Sequence, residues 1–503
     1  MALHITGSLV GVFYDDGVYL ALAKSLAEGH GYHLLYLPGQ PGAVTYPFLY
    51  PLFLAGLWKL APAFPASVAL FKAANAVLLG LFAALFVLYL RRRLGGRTWP
   101  LAILVAASAT VLPLVLVATV LFSEPLFLVM LIAACWVADA AREHPARRTA
   151  LLLALAAGLL AGAATLTRAL GLALVVAVPL SLLLARRLQA AAVAAAAGLA
   201  CVAPWFAWLL AHRGDLDPLL VANYGTYTDI LRQAGWGAVA PAGVAAMTMP
   251  LGAVALAPLH GWLRFFFGVP ALVVLVAGFA PTLQRAPALG WTLLGYLGIV
   301  LAWPFRPDRF LWAVWPFLAL VFALGARRLW LRARAAGPPV AAARWCVAAT
   351  VAAVVVGYTY YQVRGYRRGD VADIQDRISA SFAEVLPWIR LATPPDAVIA
   401  TGDEALVWLY TGRRAVPWAV WRYRGREEQG FGSDTLHAWL RRTGAAYLVL
   451  SGANAPEARP VDQLLGRYPG FLRVVRVWPR SVVAFAIASR DRSAEAGAGA
   501  RGP

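Results

Sequence analysis

The sequence predicts a polytopic α-helical membrane protein with about eleven transmembrane helices, the first of them short, and an extracytoplasmic α/β domain at the C-terminus. Hydrophobic residues make up 61% of the 503 residues and charged residues only 14%, whereas soluble domains carry roughly 25% charged residues. Apolar runs of about 18 or more residues recur along the chain, as expected of helices that cross a bilayer. Alanine and leucine dominate these runs, without the alternation that a membrane β-barrel requires.

The formal net charge of +20 reflects where the arginines lie. Basic residues cluster in the turns between apolar runs, a pattern that indicates membrane topology and not a nucleic-acid-binding surface. We therefore expect no nucleic-acid partner. Three cysteines lie inside predicted spans without metal-ligand or disulfide spacing, and we interpret them as apolar packing residues. They are Cys135, Cys201 and Cys346.

The first apolar run, residues 1–13, is too short to cross about 30 Å of hydrocarbon. It also lacks the basic start and the small-residue cleavage site of a signal peptide. We expect the true start to lie upstream and this first helix to be truncated. Ten further spans are predicted, at about 67–90, 99–119, 122–141, 149–167, 169–185, 189–211, 262–281, 288–304, 310–326 and 345–363.

Four basic clusters assign the two sides of the membrane. Each follows the previous cluster after an even number of crossings, so all four lie on one side, which the positive-inside rule makes the cytoplasm. The sequence thus predicts a multi-pass cytoplasmic (inner) membrane protein whose loops at 14–66 and 212–261 lie outside. The clusters are Arg91 to Arg93 with Arg97, Arg142 with Arg147 and Arg148, Arg186 with Arg187, and the run from Arg327 to Arg344.

Composition changes after about residue 364. We therefore divide the chain into a transmembrane domain at 1–365, an extracytoplasmic soluble α/β domain at 366–489 and a disordered Ala/Gly-rich tail at 490–503. In the soluble domain, amphipathic spacing predicts helices at 374–391 and 437–444, and apolar β-branched runs predict strands at 397–403, 446–452 and 473–487. In the first outer loop, a helix is predicted at 17–29 and an aromatic-rich interfacial helix at 47–60.

A charge at membrane level is costly, so each such residue requires a physical reason. Six of them fall at the outer ends of spans when the crossings are counted, although they come from four distant parts of the sequence. Together they would place carboxylates beside guanidinium groups at the membrane–water boundary, which suits a general base or metal ligand next to a phosphate-binding site. The six are Asp15, Asp16, Glu124, Arg168, Asp308 and Arg309.

The acidic candidates also have structural explanations. Asp15 and Asp16 precede a predicted helix, where aspartates satisfy free N–H groups and suit the helix dipole. Because adjacent side chains diverge, we expect only one of the two to point into a site. Glu124 precedes Pro125 at a helix start, where proline is favoured in the first turn.

The basic candidates have structural explanations as well. Arg168 lies in a short turn, where snorkelling to the interface would account for it, although the positive-inside rule disfavours arginine on the outer side. Asp308 would form a surface pair with Arg309 or with Arg306, and such a pair contributes little stability. His260 and Arg264 lie at the outer edge of another span and fit either a site or an aromatic interface belt.

Short motifs follow one another in order along the outer ends of the spans. After the acidic pair and its short helix come TYPFLYPLFLAGLWKL (45–60), SEPLF, LAGAATLTRALGLAL (160–174) and RPDRFLWAVWPFLALVFALG (306–325). This order resembles the GT-C glycosyltransferases, in particular the bacterial branch related to protein O-mannosyltransferases (glycosyltransferase family 39) and the aminoarabinose transferases of lipid A. The resemblance covers roughly residues 10–365.

The resemblance implies an enzyme that transfers a sugar from a polyprenyl-phosphate donor to an extracytoplasmic acceptor, which would be a lipid, a protein or a polysaccharide. By position, Asp15 would be the general base and Asp16 its neighbour in the catalytic pair. Glu124 would shape the acceptor site or hold a metal. The residues that would bind the donor phosphate are Arg309, Arg306 and Arg168.

The chemistry needs little more than a base on the acceptor and neutralisation of the leaving phosphate. The sequence therefore requires no cofactor and leaves a divalent metal optional. The lysine common in the first loop of the aminoarabinose branch is absent from TYPFLYP, which leaves the donor and the acceptor open. The alternatives are a lipid or polysaccharide transporter or flippase, which needs repeats, broken helices or midplane charges, and a non-enzymatic envelope assembly protein.

Overall fold

Helices form most of the chain in the computed structural model, which describes residues 9–95, 108–335, 341–451, 458–479 and 482–488. Apolar sequence and good helix formers account for this, because a helix satisfies its own backbone hydrogen bonds in lipid. The helices up to residue 368 are α1 (Asp15–Ala27), α2 (Leu49–Leu60), α3 (Val68–Leu94), α4 (Leu112–Thr119), α5 (Glu124–Glu143), α6 (Arg147–Thr167), α7 (Leu172–Leu184), α8 (Leu188–His212), α9 (Val221–Tyr224), α10 (Tyr227–Ala234), α11 (Trp236–Ala255), α12 (Gly261–Arg285), α13 (Pro287–Leu301), α14 (Asp308–Ala313), α15 (Trp315–Ala335) and α16 (Ala341–Arg368).

Six helices in the described part of the chain are long and apolar enough to cross a membrane, and shorter apolar helices lie between them. The predicted class, a polytopic helical membrane protein, is therefore confirmed. The number of eleven helices is not established. Most of the predicted first run (1–13) and much of the predicted span at 99–119 lie outside the described residues. The six helices are α3, α5, α6, α8, α12 and α16.

The second predicted outer loop contains a helix that the sequence analysis missed. Helix α11 has 20 residues, within the segment 212–261 that was predicted as a loop. Glycines and two prolines, Pro241 and Pro250, interrupt its apolar sequence and lower its helix propensity. Periodicity alone does not show whether short apolar stretches of this kind form a helix.

Contacts around three of the four basic clusters bring them to one end of the helical bundle. Arg93 donates through Nε to the Arg285 carbonyl at 2.6 Å and through Nη1 to Glu143 at 2.5 Å. Arg187 donates to the carbonyl of His144 at 3.3 Å. The ends of α3, α5 and α12 and the start of α8 therefore share one side, as the counted crossings predicted.

A buried carboxylate that the sequence analysis did not single out lies near this end. Asp139 accepts hydrogen bonds from the Tyr89 hydroxyl at 2.7 Å and the Ala288 backbone N–H at 3.3 Å, and Arg93 Nε lies 3.5 Å away. This group fastens α3, α5 and α13 together. Helix α5 has 20 residues and so spans about 30 Å, with Glu124 at its first position, far from Asp139.

The chain beyond residue 369, here called the C-terminal unit, forms an α/β structure. Its elements are α17 (Asp370–Phe382), α18 (Val385–Ala392), β1 (Val398–Thr401), α19 (Glu404–Thr411), β2 (Ala415–Pro417), β3 (Trp421–Arg424), β4 (Glu427–Gly430), α20 (Ser433–Arg442), β5 (Ala445–Leu450), α21 (Arg459–Arg467), β6 (Leu472–Trp478) and β7 (Val482–Ile487). Five of the strands form one sheet in the order β2-β1-β5-β7-β6. Strand β1 pairs in parallel with β2 and β5, whereas β7 is antiparallel to β5 and β6. A separate hairpin pairs β3 with β4.

The structure differs from the predicted elements of this unit in two places. The predicted strand at 473–487 is two antiparallel strands, β6 and β7. The predicted helix at 374–391 is two helices, α17 and α18.

Three contacts join the C-terminal unit to the outer loops of the bundle. The Ala415 N–H donates to the Tyr36 carbonyl at 2.9 Å, and the Gly425 N–H donates to the Ala234 carbonyl at 2.7 Å. Arg442 forms an ion pair with Asp217 at 2.7 Å. The unit therefore covers the end of the bundle opposite to the basic clusters.

Candidate active site

Four charged side chains from four segments meet at the end of the bundle that the C-terminal unit covers. Arg309 donates through Nη1 to Asp15 and through Nε to Glu124 at 2.5 Å. Arg168 Nη1 lies 2.8 Å from the same Glu124 oxygen. Two carboxylates and two guanidinium groups thus form one alternating chain, Asp15–Arg309–Glu124–Arg168, here called the ion cluster.

Burial divides the ion cluster into an inner and an outer half. Glu124 is fully buried and the Arg168 side chain is 6% exposed, whereas the Asp15 and Arg309 side chains are 25% and 23% exposed. A buried ion pair must be well oriented to offset its loss of hydration, so the inner half serves to fix geometry. The outer half is accessible to a ligand.

Local structure explains the position of the inner half. Glu124 is the first residue of α5, where a carboxylate suits the helix dipole, and Pro125 stands in the first turn. Arg168 has an extended backbone directly after α6, so its side chain turns back toward Ser123, to which it donates at 3.1 Å.

Aromatic side chains complete the surroundings of the outer half. The Tyr46 hydroxyl donates to Asp15 at 2.5 Å, and the Tyr19 hydroxyl shares a hydrogen bond with Ser123 at 3.1 Å. The Arg309 guanidinium lies 3.7 Å from the centre of the Phe122 ring, within cation–π range.

The sequence analysis did not single out either tyrosine, although each had a signal. Tyr19 follows Asp15 by four residues and therefore shares its face of α1. Tyr46 lies in the TYPFLYP motif.

Asp16 does not join the ion cluster, although it is adjacent to Asp15. Its two carboxylate oxygens accept from the backbone N–H groups of Gly11 at 2.6 Å and Phe13 at 3.0 Å. Burial raises the pKa of Asp16 to about 6, against the lowering effect of these hydrogen bonds. Asp16 thus holds the loop before α1 in place.

The other predicted site residues have different contacts. The Arg306 side chain is 89% exposed and lies 3.7 Å from Asp308. Arg264 donates to the Leu259 carbonyl at 2.9 Å, and His260 is exposed at the start of α12. None of the contacts described for them reaches the ion cluster.

The carboxylates of the ion cluster are the natural candidates for a metal ligand. Among the described residues no group of three or more histidine, cysteine, aspartate or glutamate side chains converges on one point. Asp15 and Glu124 are both engaged by Arg309, so a metal shared by them would have to displace that guanidinium.

Three solved structures share the fold of this chain over most of its length. ArnT from Cupriavidus metallidurans in the apo state is 13% identical, with a TM-score of 0.53 over 93% of this chain and 92% of that one. The same protein bound to undecaprenyl phosphate is 15% identical, with a TM-score of 0.55 over 97% and 96%. An oligosaccharyltransferase from Archaeoglobus fulgidus, in complex with Zn and sulfate, is 13% identical, with a TM-score of 0.53 over 95% of this chain and 69% of that one.

The chain shares the fold of ArnT and of the archaeal oligosaccharyltransferase over most of its length, so the predicted resemblance is confirmed at the level of the fold. No protein-family model matches the sequence, and no curated protein matches it. The chain is therefore a polytopic membrane protein that shares the fold of these structures and has an ion cluster at one end of its helical bundle.

Proposed function

We propose that the chain is a glycosyltransferase of the cytoplasmic membrane that moves a sugar from a polyprenyl-phosphate carrier to an acceptor on the extracytoplasmic side. The observation that supports this most strongly is the outer half of the ion cluster. A carboxylate and a guanidinium, each about one quarter exposed, lie side by side at one end of the bundle. That pair suits a reaction in which a proton leaves one group while negative charge develops on another.

Each member of the ion cluster has a role in this proposal. Asp15 accepts the proton of the acceptor hydroxyl as that oxygen attacks the anomeric carbon. Arg309 stabilises the lipid phosphate as the bond between the sugar and the phosphate breaks, since guanidinium groups bind phosphate oxygens with two parallel hydrogen bonds. Glu124, itself held by Arg168, fixes the orientation of Arg309. Arg306 is not used, because it pairs with Asp308 outside the cluster.

The nature of the donor rests on the fold and on the position of the site. A lipid-linked phosphate reaches a protein from the side of the membrane, and the ion cluster lies at the ends of apolar helices. A protein with this fold has been crystallised with undecaprenyl phosphate. We therefore extend that class of ligand to this chain and leave the sugar and the acceptor open.

The first prediction concerns Asp15. In a strain that lacks this protein, wild-type chain should restore one surface glycan, whereas Asp15→Asn should restore none and should leave the lipid-linked donor in excess. Asparagine cannot take the proton, and loss of a general base lowers turnover by about 10² to 10⁴-fold. Mass spectrometry of surface glycans and of lipid-linked sugars measures both effects.

The matched control is Asp308→Asn, since Asp308 lies beside Arg309 in sequence and pairs with Arg306 outside the ion cluster. It should restore the glycan like the wild-type chain. Restoration by Asp15→Asn at equal expression would exclude Asp15 as the base. A deletion strain with unchanged glycosyl transfer, but with lipid-linked sugar trapped on the cytoplasmic side, would instead favour a flippase.

A further inference from the structure

A strained turn separates Asp15 from the chain before it. Tyr14 has φ of 67° and ψ of −70°, and the Asp15 N–H donates to the Phe13 carbonyl at 2.9 Å. This is a γ-turn with a positive φ at its centre, a rare and strained conformation for a residue with a side chain. The turn sets where α1 begins, and from that start Asp15 faces Arg309 whereas Asp16 faces the loop behind it.

The C-terminal unit lies directly against this turn. The Val10 N–H donates to the Tyr410 hydroxyl of α19 at 3.1 Å. A Cβ at Gly11, where φ is +99°, would lie only 2.8 Å from the Leu406 Cβ, so only glycine allows the loop to approach α19 this closely. The conformation of residues 9–17 thus depends on α19.

The side chain of Tyr14 leads to one residue of that helix. Its ring stacks on Tyr224 with centroids 5.8 Å apart, and the Tyr224 hydroxyl donates to Glu404, the first residue of α19. The Tyr36 ring also packs on Tyr224, at 6.0 Å. Glu404 is 1% exposed, and none of the described residues places a cation against it. A buried carboxyl of this kind is costly for stability alone.

We infer that Glu404 is a positioning residue: through Tyr224 and Tyr14, it fixes the strained turn that directs Asp15 toward Arg309. The inference rests on the proposed function in one respect, the role of Asp15 as the base that the turn directs. The C-terminal unit, on this account, completes the site without touching the reacting atoms.

The protonation of Glu404 gives this arrangement a pH dependence. Burial raises the pKa of Glu404 to about 8, so at neutral pH the carboxyl keeps its proton. One Glu404 oxygen accepts from Tyr224, whereas the other oxygen and the Tyr14 hydroxyl have no hydrogen-bond partner among the described residues. Above that pH a buried negative charge faces the hydroxyls of Tyr14, Tyr36 and Tyr224. The other titratable groups close by are carboxyls, Asp403 with a pKa raised by burial to about 7 and Asp16.

The sign of the effect follows from the direction of the shift. The pKa of Glu404 is higher in the folded chain than its ordinary value of 4.5, so the folded state binds more protons between about pH 4.5 and about pH 8. Stability therefore falls as the pH rises through that window and levels off above it. Asp403 and Asp16 act in the same direction at lower pH, so only a comparison with a variant of Glu404 isolates its contribution.

Two substitutions separate a positioning role from a merely structural one. Glu404→Gln keeps an acceptor for the Tyr224 hydroxyl, and it does not titrate. Glu404→Leu removes the acceptor. Glu384, an exposed residue of the same unit, receives the same two substitutions as a control.

The measurement is hydrogen–deuterium exchange of residues 11–18 in the purified full-length chain in detergent, corrected for intrinsic rates, at pH 7 and pH 9. At pH 9 a group of pKa about 8 is about ten parts ionised to one part protonated, so the wild-type turn should exchange about tenfold faster than at pH 7. Glu404→Gln should stay protected at both values and Glu404→Leu at neither. Both Glu384 variants should behave like the wild-type chain.

Glycan restoration gives the second readout. Glu404→Gln should restore the glycan, whereas Glu404→Leu should lower transfer by about 100-fold, because a misplacement of about 1 Å costs that much. If Glu404→Leu does not fold, Tyr224→Phe keeps the ring stacking, removes the hydrogen bond and carries the same expectation.

The outcomes distinguish the inference from the function on which it rests. Wild-type protection of residues 11–18 in both Glu404→Leu and Tyr224→Phe would overturn the inference, whatever the activity. The expected exchange pattern, together with full transfer by Asp15→Asn, would uphold the control of the turn by Glu404 and reject the proposed base.

Discussion

At the scale of single residues, the site depends on how one guanidinium is shared. Arg309 bonds to Glu124 through Nε and Nη2 and to Asp15 through Nη1, so its orientation is fixed by the buried carboxylate while its other edge faces outward. Arg168 supports that carboxylate from the inner side. Loss of Arg168 would leave Glu124 with fewer partners in a water-free position.

We predict that Arg168→Leu destabilises the chain by about 3 kcal/mol, the usual cost of breaking a buried ion pair. Thermal unfolding in detergent measures the loss. Arg306→Leu is the matched control, because the Arg306 side chain is 89% exposed and exposed pairs contribute about 0–1 kcal/mol. Equal stability of the two variants would show that the inner half of the ion cluster does not hold the site together.

Part of the site could be predicted because charged residues are few near the ends of the apolar helices. Asp15, Glu124, Arg168 and Arg309 stand out because few charges occur near apolar helix ends, and the structure brings all four into contact. Asp16 could not be told from its neighbour by sequence, since the direction of each side chain depends on the backbone turn at position 14. Tyrosines are common at membrane interfaces, so the spacing of Tyr19 from Asp15 and the motif around Tyr46 were not distinctive enough to single these residues out.

At the scale of elements, the β3–β4 hairpin attaches the C-terminal unit to the loop that leads to Arg309. Its turn residue, Arg426, donates to four carbonyls, those of Val300, Leu301 and Phe305 and that of Val239, at 2.8–3.3 Å. The last carbonyls of a helix have no partner within the helix, so the guanidinium caps α13.

We predict that Arg426→Ala loosens residues 300–308. Hydrogen bonds to a charged group contribute about 1.5–3 kcal/mol, and a loss of about 2 kcal/mol raises local hydrogen exchange roughly 30-fold. Exchange of this segment, followed by mass spectrometry, is the measurement. Arg422→Ala should leave it unchanged, because the one side-chain hydrogen bond of Arg422 within the described residues runs across the hairpin to Gln429, at 3.1 Å. Equal effects of the two variants would argue against the cap.

The elements differ in how well the sequence predicted them. Long apolar runs predicted the membrane-spanning helices, because an apolar segment in lipid must satisfy its own backbone hydrogen bonds. Helix α11 was missed because its small residues and prolines carry no periodic signal, and the hairpin was missed because its strands are only four residues each and largely exposed. Short elements of this kind are specified by contacts with distant parts of the chain.

At the scale of the whole molecule, the ion cluster and the basic clusters lie at opposite ends of α5. The positive-inside rule then assigns the ion cluster and the C-terminal unit to the extracytoplasmic side. Single-cysteine labelling tests this assignment, after the three native cysteines are replaced by alanine.

We predict that Asp462→Cys, in the exposed part of α21, reacts with a membrane-impermeant maleimide in intact cells. Arg148→Cys, exposed at the start of α6, should react only after permeabilisation, since it belongs to a basic cluster. The reverse pattern would invert the topology and place the proposed chemistry in the cytoplasm.

Helix α5 is fastened by charged groups at both ends, by Arg309 and Arg168 at Glu124 and by Arg93 at Asp139. The charged group at Glu124 and the one at Asp139 cannot move along the bilayer normal without breaking an ion pair or entering the hydrocarbon. Glu124 and Asp139 are 15 residues apart, about 22 Å along the helix axis. The protein therefore has a set hydrophobic thickness, and in thicker or thinner membranes the lipid must deform to meet it. The same contacts that orient Arg309 thus make the geometry of the site sensitive to the acyl-chain length of the surrounding lipid.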